Sequence, residues 1–297
     1  MKLGLVGFGE AAFEMSVGLK QEGFEAILAY DVMLNHPVFG TQIRERASQA
    51  QVELLEAPGD LLNQVEIVVV AVPADKDYEV SEVLKPHLKK GCIYIDVTAS
   101  TPNVKQNIWK NIQGEEVLFV DAAMMGPLPI YKHKVPILAS GNGTDQFIQL
   151  MSQYGMDITK VSINPGEASA VKLIRSIYMK GVVALYYELL EAAHTFNVED
   201  LVISSINETM EGKTFEQTMN RLVTGTAIHA RRRSVELGGS IEMLETSNIN
   251  SAMSKAAREK LEGIAKLNLK AKFNGKQPGH WLEVIRACQQ NTATQAN

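Results

Sequence analysis

The sequence predicts an α/β protein: a doubly wound parallel sheet with helices on both faces, followed by an all-helical region. Two patterns carry that expectation. Up to about residue 165, short β-branched runs alternate with amphipathic segments, as strand–helix–strand units do. Beyond that point strand signals stop, and 166–196 reads as one long apolar-rich segment that would span roughly 45 Å as a helix. The chain of 297 residues therefore divides into an α/β domain, 1–165, and a helical domain, 166–297.

The strands are expected at 2–7, 26–31, 66–72, 92–96, 117–121 and 135–139, in a parallel sheet covered on both faces. Val65-Glu-Ile-Val-Val-Val-Ala-Val72 is the clearest, a β-branched run stopped by Pro73, and it reads as a fully buried central strand. The first helix reads 11–23, with Gly23 at its C-terminus. After the long helix come segments at 198–210, 215–236, 250–266 and 279–289. Ala170, Val171, Ile174, Ile177, Val182, Val183, Leu185, Leu189 and Ala193 leave the long helix apolar around most of its circumference. Such a helix is expected to be buried, in part by a second copy of the chain, so a homodimer is expected. The tail 291–297 is polar and expected to fray.

Composition narrows the function. A net charge of −5 argues against nucleic-acid or anionic-membrane partners. No apolar run reaches the roughly 20 residues of a membrane span, and the N-terminal apolar run is a strand rather than a signal peptide. Cys92 and Cys288 stand far apart with no redox or metal spacing, which fits a reducing cytoplasm. No cluster of His, Cys and carboxylates has ligand spacing, so no metal is expected.

The motif richest in chemistry is at the start: Lys2-Leu-Gly-Leu-Val-Gly7-Phe-Gly9-Glu-Ala-Ala12. A strand breaks into Gly-x-Gly-x-x-Ala and continues as a helix. Gly7 permits the tight turn, Gly9 lets backbone approach a pyrophosphate, and Ala12 lets the helix pack closely. The first helical N–H groups, flanked by Phe8, Glu10 and Ala11, then face the phosphates. Asp31 ends the second strand about 20 residues on, where a carboxylate accepts from a ribose 2′-hydroxyl. The plainer alternative is a turn-forming Asp. The acid favours NAD over NADP, because a 2′-phosphate would meet a carboxylate, although Arg44 or Arg46 could reach round. Val72 and Pro73 sit at the carboxyl edge of the sheet, where ligands of such folds bind.

Together these residues resemble the β-hydroxyacid dehydrogenase family, which includes 3-hydroxyisobutyrate, tartronate-semialdehyde and 6-phosphogluconate dehydrogenases. The segment 7–12 matches its cofactor loop in a Rossmann domain. Asp96-Val-Thr98-Ala-Ser100-Thr-Pro102 resembles its Asp-x-Ser-(Ser/Thr) turn, and Asp121-Ala-Ala-Met-Met125-Gly126-Pro127 its Asp-Ala-Pro-Val-Ser-Gly-Gly substrate loop. Gly166-Glu-Ala-Ser-Ala-Val-Lys172-Leu-Ile-Arg-Ser176 resembles Gly-x-Gly-x-x-x-Lys-x-x-x-Asn, whose lysine is catalytic. Met125, Pro127 and Ser176 depart from the family's serine, glycine and asparagine. The helical domain is most similar to a 6-phosphogluconate-dehydrogenase-like branch.

The resemblance implies a nicotinamide-dependent oxidoreductase of small β-hydroxyacids or sugar acids, with Lys172 as general acid and base. Desolvation and the neighbouring Arg175 are expected to disfavour its ammonium; a plain snorkelling lysine is the alternative. Thr98 would serve cofactor and substrate; Ser100, Met125, Gly126, Pro127 and Ser176 would serve substrate. His229 and Arg232 share a helical face with Arg233 and Glu236, and a guanidinium there suits a substrate carboxylate; a solvated face laced by Arg–Glu pairs is the plainer reading. Two other functions compete. Imine reduction occurs on similar scaffolds that generally lack the lysine, and a non-catalytic NAD sensor would not need Lys172. A methyltransferase is a weaker match to the glycine turn and Asp31.

Overall fold

Each of the six expected strands forms. The computed structural model describes residues 1–295. Its sheet has the order β3-β2-β1-β4-β5-β6-β7-β8, with β1 Lys2–Val6, β2 Ala26–Tyr30, β3 Glu53–Leu55, β4 Ile67–Val70, β5 Ile93–Asp96, β6 Leu118–Met124, β7 Ile137–Ser140 and β8 Ile158–Ser162. The helices of this unit are α1 Glu10–Gln21, α2 Phe39–Ala50, α3 Pro58–Leu62, α4 Asp77–Leu84, α5 Pro102–Ile112, α6 Leu128–Tyr131 and α7 Thr144–Met151. The order reverses between β1 and β4, so the crevice outside their carboxyl ends is the switch point of the sheet.

Two strands escape the sequence pattern, β3 and β8, and both are edges of the sheet. An edge strand is covered on fewer sides and needs no apolar run: Thr159, Lys160 and Val161 of β8 are exposed. The expectation of an all-parallel sheet also needs correction, because β7 runs antiparallel to β6. The connection between them holds one turn of α6 and a tight helical turn at 132–134, too little to cross the sheet and return parallel. Both faces of the sheet are apolar. Leu3, Leu5, Ile27, Ile67, Ile95 and Val120 pack on one side, and Val6, Leu28, Val68, Val70, Tyr94 and Phe119 on the other.

The chain forms two compact units, Met1–Ile177 and Tyr178–Asn297. The long helix α8 Glu167–Thr195 is followed by α9 Glu199–Met210, α10 Phe215–Thr246, α11 Ala252–Lys266, α12 Leu269–Lys272 and α13 Trp281–Gln295. In the second unit α10 packs on α11, α12 and α13, around Ala227, Leu269, Val284 and Ala287. The buried Glu188 carboxylate of α8 caps α11, accepting from Met253 N–H at 2.8 Å and from Ser254 N–H at 2.9 Å. Helix α10 runs ten residues beyond its expected end at 236. It passes through Gly238 and Gly239 as helix, and a Cβ on Gly238 would lie 3.6 Å from the Arg258 guanidinium of α11.

In the single chain much of the long helix is exposed, so the burial expected of it, in part by a second copy, is not supplied by this chain alone. Ile177 is 74% and Tyr187 76% exposed, and Ile174, Val183 and Leu185 are exposed as well. The polar tail reaches into α13 as far as Gln295; Ala296 and Asn297 lie outside the described residues. No helix among the described residues is long and apolar enough to cross a membrane.

Candidate active site

At the end of β1 the chain turns on Gly7, with φ +83°. A Cβ there would lie 2.3 Å from the Ala71 carbonyl oxygen, so the close approach of β1 and β4 admits only glycine. Gly9 is the N-cap of α1, without a side-chain cap, and a Cβ on it would meet nothing within 4 Å. The first N–H groups of α1, at Glu10, Ala11 and Ala12, have no partner within the helix and stand at the positive end of its 12 residues. A helix start of this kind can hold the diphosphate of a dinucleotide.

Asp31 holds this cradle from behind. Phe8 N–H donates to its Oδ2 at 2.7 Å and Met33 N–H to its Oδ1 at 2.8 Å. Each oxygen keeps a further lone pair, so the carboxylate ties the glycine loop to β2 and can still accept from ribose hydroxyls. Arg44, the nearer cation in sequence, donates instead to the Leu34 carbonyl at 2.9 Å.

The chain now matches, over residues 2–159, the family described as the NAD binding domain of 6-phosphogluconate dehydrogenase. The chain belongs to that family. Residues 193–264 match a domain of unknown function, DUF1932. A solved structure of a conserved protein of unknown function, described as structurally similar to 3-hydroxyacid dehydrogenases, is 29% identical. Its TM-score is 0.62, and the match covers 91% of this chain and 99% of that one. An uncharacterized 28.5 kDa protein of Methanothermus fervidus is 27% identical over 264 residues, 89% of this chain and 99% of that protein. An imine reductase variant from Myxococcus stipitatus, solved in complex with NAD+, shares the fold alone: 15% identity, TM-score 0.72, covering 96% of this chain and 98% of that one.

Beside the cradle of this NAD-binding domain lie the loops after β4 and β5. Val72 N–H donates to Thr98 Oγ1 at 3.3 Å, and the Pro73 carbonyl accepts from Lys76 N–H at 2.9 Å. Thr98 N–H donates in turn to Asp96 Oδ1 at 3.0 Å. Beneath them sits a fully buried ion cluster. Lys105 Nζ lies 2.6 Å from Asp96 Oδ1 and 3.4 Å from Asp77 Oδ2, and donates to the Thr98 carbonyl at 2.8 Å. The Ser100 hydroxyl, expected to face substrate, is buried and donates to Asp77. Burial pushes the Asp96 carboxyl up to about 7; Lys105 pulls the other way and Asp77 adds to the rise.

Lys172 approaches from α8. Asp121, at the end of the Asp96-paired register of β6, caps that helix: its Oδ1 accepts from Ser169 Oγ at 2.6 Å and its Oδ2 from Ser169 N–H at 2.9 Å. Ser140 Oγ donates to the same carboxylate at 3.3 Å and accepts from Ala168 N–H at 3.0 Å. Gly166, with φ +93°, seats the helix against α5, since a Cβ there would come within 2.7 Å of the Pro102 carbonyl. The half-buried Lys172 follows one turn later, with no hydrogen-bond or ion-pair partner for its amine among the described residues. Desolvation lowers its pKa below that of an ordinary lysine, the Lys105 charge lowers it further, and Asp121 opposes. The repelling cation is thus Lys105 of α5; Arg175, which the sequence suggested, is exposed.

Ser176 is half-buried one turn beyond Lys172. In the loop after β6, Met125 N–H donates to the Pro136 carbonyl at 2.8 Å. Gly126 lies under the Tyr131 ring, where a Cβ would be 3.3 Å away, and Pro127 is exposed at the start of α6. Within the helical unit, His229 is exposed on α10 and Arg232 Nε lies 3.4 Å from Glu236. Arg233 turns inward to Thr226 and the Leu222 carbonyl.

Asp77 and Lys105 were not singled out by sequence. A signal exists: Lys105, Ile108 and Ile112 are the buried positions of α5, and a lysine on the apolar face of an amphipathic helix calls for a buried partner.

Proposed function

We propose that this chain is an NAD-dependent oxidoreductase that interconverts a small β-hydroxyacid or sugar acid and its ketone. Lys172 would be its general acid and base. The observation that carries this reading is the Lys172 amine itself: half-buried, without a hydrogen-bond or ion-pair partner among the described residues, and with its ammonium disfavoured by burial. A neutral amine accepts a proton; the bland alternative, a lysine snorkelling to solvent, would keep its ordinary charge.

NAD, when bound, supplies the two-electron acceptor or donor. As the alcohol carbon is oxidised, Lys172 Nζ takes the hydroxyl proton, and in the reverse direction the ammonium returns it to the carbonyl oxygen. The N-terminal N–H groups of α1 hold the diphosphate, Asp31 reads the ribose, and Val72, Pro73 and Thr98 line the cofactor's reactive end. Asp31, with Arg44 engaged elsewhere, favours NAD over NADP. The loop 125–127 and Ser176 are the substrate contacts, Ser100 supporting its loop through Asp77. In the helical unit, Arg232 and His229 are the candidate contacts for a carboxylate. We assign residues 1–165 to cofactor binding and 166–297 to substrate recognition and dimerisation. A second copy of the chain covers the apolar face of α8. Cys92 and Cys288, far apart in the sequence and without redox or metal spacing, suit a reducing cytoplasm.

The test is NAD reduction, followed by absorbance, across a panel of small hydroxyacids and sugar acids, with cyclic imines and NADPH in a parallel panel. The expected result is turnover of a hydroxyacid that falls about 10²–10⁴-fold in Lys172→Ala. Turnover of imines alone, or bound NAD with no turnover of any substrate, would overturn the reading.

A further inference from the structure

The ion cluster beneath the loop at the end of β5 takes no part in the reaction just described. The Lys105, Asp77 and Asp96 side chains have no solvent exposure. Buried ions are costly to desolvate, and apolar side chains of similar size are often as stable or more so. Geometry indicates what the cluster is for. One ammonium gathers three parts of the unit: Asp96 of β5 at 2.6 Å, Asp77 of α4 at 3.4 Å, and the Thr98 carbonyl at 2.8 Å. The Ser100 hydroxyl on Asp77 closes the ring around the 98–100 loop. Gly166 seats the start of α8 against Pro102, the first residue of the helix that carries Lys105. Lys172 on α8 therefore feels the Lys105 charge.

We propose that Lys105 is a positioning residue for the reaction centre: its buried ammonium clamps the 98–100 loop to β5 and α4 and holds a fixed positive charge one turn from Pro102, where the start of α8 is seated. The inference rests on the reading of Lys172 as acid and base. Other charges bearing on the pair are accounted for. Asp77 from α4 and Asp96 from β5 face Lys105, with the Tyr94 hydroxyl of β5 near both carboxylates. Asp121 from β6 faces Lys172 and favours its ammonium. On α8 itself Glu167 and Arg175 are exposed. Like charges repel in a medium of low dielectric, so removing the Lys105 cation raises the proton affinity of Lys172.

The experiment titrates Lys172 directly in the full chain. Trace acetic anhydride is applied between pH 6 and 11, and acetylation of Lys172 is read by mass spectrometry. Wild type is compared with Lys105→Gln and with the double variant Lys105→Gln, Asp77→Asn. The double variant removes a cation and a carboxylate together, so no second carboxylate is stranded if the single variant fails to fold. The expected midpoint lies below that of an ordinary lysine in wild type, moves up by roughly one pH unit in Lys105→Gln, and moves up by less in the double variant, where the lost carboxylate offsets part of the lost cation. An unchanged midpoint in folded Lys105→Gln, or a midpoint that falls in the folded double variant, overturns the proposal. So does failure of both variants to fold by circular dichroism, which would assign the cluster to stability alone. Labelling needs no substrate, so the two readings fail separately. Full turnover in Lys172→Ala would remove the acid and base role, while an unshifted midpoint would remove only the role of Lys105.

Discussion

Asp121 and Ser169 form a two-point clasp between the middle of strand β6 and the first turn of α8. The carboxylate accepts the serine hydroxyl at 2.6 Å and its N–H at 2.9 Å. The clasp caps orphan donors at the helix start and fixes the rotation of the helix about its axis. Lys172 lies three residues further along, so its direction is set by this pair.

Asp121→Asn keeps the shape but loses the negative charge at the helix N-terminus and weakens charge-assisted bonds. Asp121 is fully buried, so the substitution is expected to cost about 2–3 kcal/mol of stability, read from denaturant unfolding. Turnover should fall more steeply than NAD affinity, since the cradle at α1 is untouched. Equal losses in both would refute a local action through α8.

Asp31 serves two ends at once. Its oxygens accept from Phe8 and Met33 N–H groups, and the reading above gives it the ribose as well. Asp31→Asn should raise the Kd for NAD by about tenfold, because a charged acceptor is exchanged for a neutral one. The penalty for NADP should shrink by comparison. Fluorescence titration with both nucleotides checks this; unchanged discrimination would show that Asp31 serves only the loop.

Cys92 provides a reporter of global opening. Its thiol is buried, and burial pushes its pKa up to about 11. The thiolate is the reactive form, so native protein at pH 8 should leave Cys92 unlabelled by iodoacetamide, while denatured protein labels it fully. Peptide mapping before and after denaturation decides; rapid native labelling would mean that the start of β5 opens locally.

Most of the fold was legible because central strands are buried on both faces and so read as apolar runs, as 65–72 does. The strands that were missed, β3 and β8, are edges, where pairing rather than composition makes the strand. The glycine loop was legible because its chemistry is local in sequence: turn, close approach and helix start lie within 7–12. The ion cluster was not, since Lys105, Asp77 and Asp96 come from α5, α4 and β5 and meet only in the fold. The same holds for Lys172: desolvation was foreseeable from an apolar helix, but the cation beside it was misassigned to Arg175, its neighbour in sequence rather than in space.

The exposed face of α8 makes the oligomeric state testable. Ile177 and Tyr187 are about three-quarters exposed in the single chain, so a charge at either costs the monomer little. If a second copy covers this face, the double variant Ile177→Glu, Tyr187→Glu should halve the mass seen by light scattering at micromolar concentration, with helical circular dichroism retained. A wild-type protein already monomeric at that concentration would refute the dimer.

The pH dependence of turnover follows from the sign of the Lys172 shift. Burial and then the Lys105 charge disfavour the ammonium, placing its titration below the ordinary 10.5. Oxidation of a hydroxyacid needs the neutral amine as base, so kcat/KM in that direction should rise with pH through the Lys172 midpoint and level off above it. Reduction needs the ammonium as donor and should fall across the same range, giving mirrored limbs with one shared midpoint. Neither limb should survive in Lys172→Ala, whose residual rate should be flat through that window. An oxidation limb centred at 10.5 or above would mean that the lysine is solvated; limbs that persist in the variant would assign the proton transfer to another group.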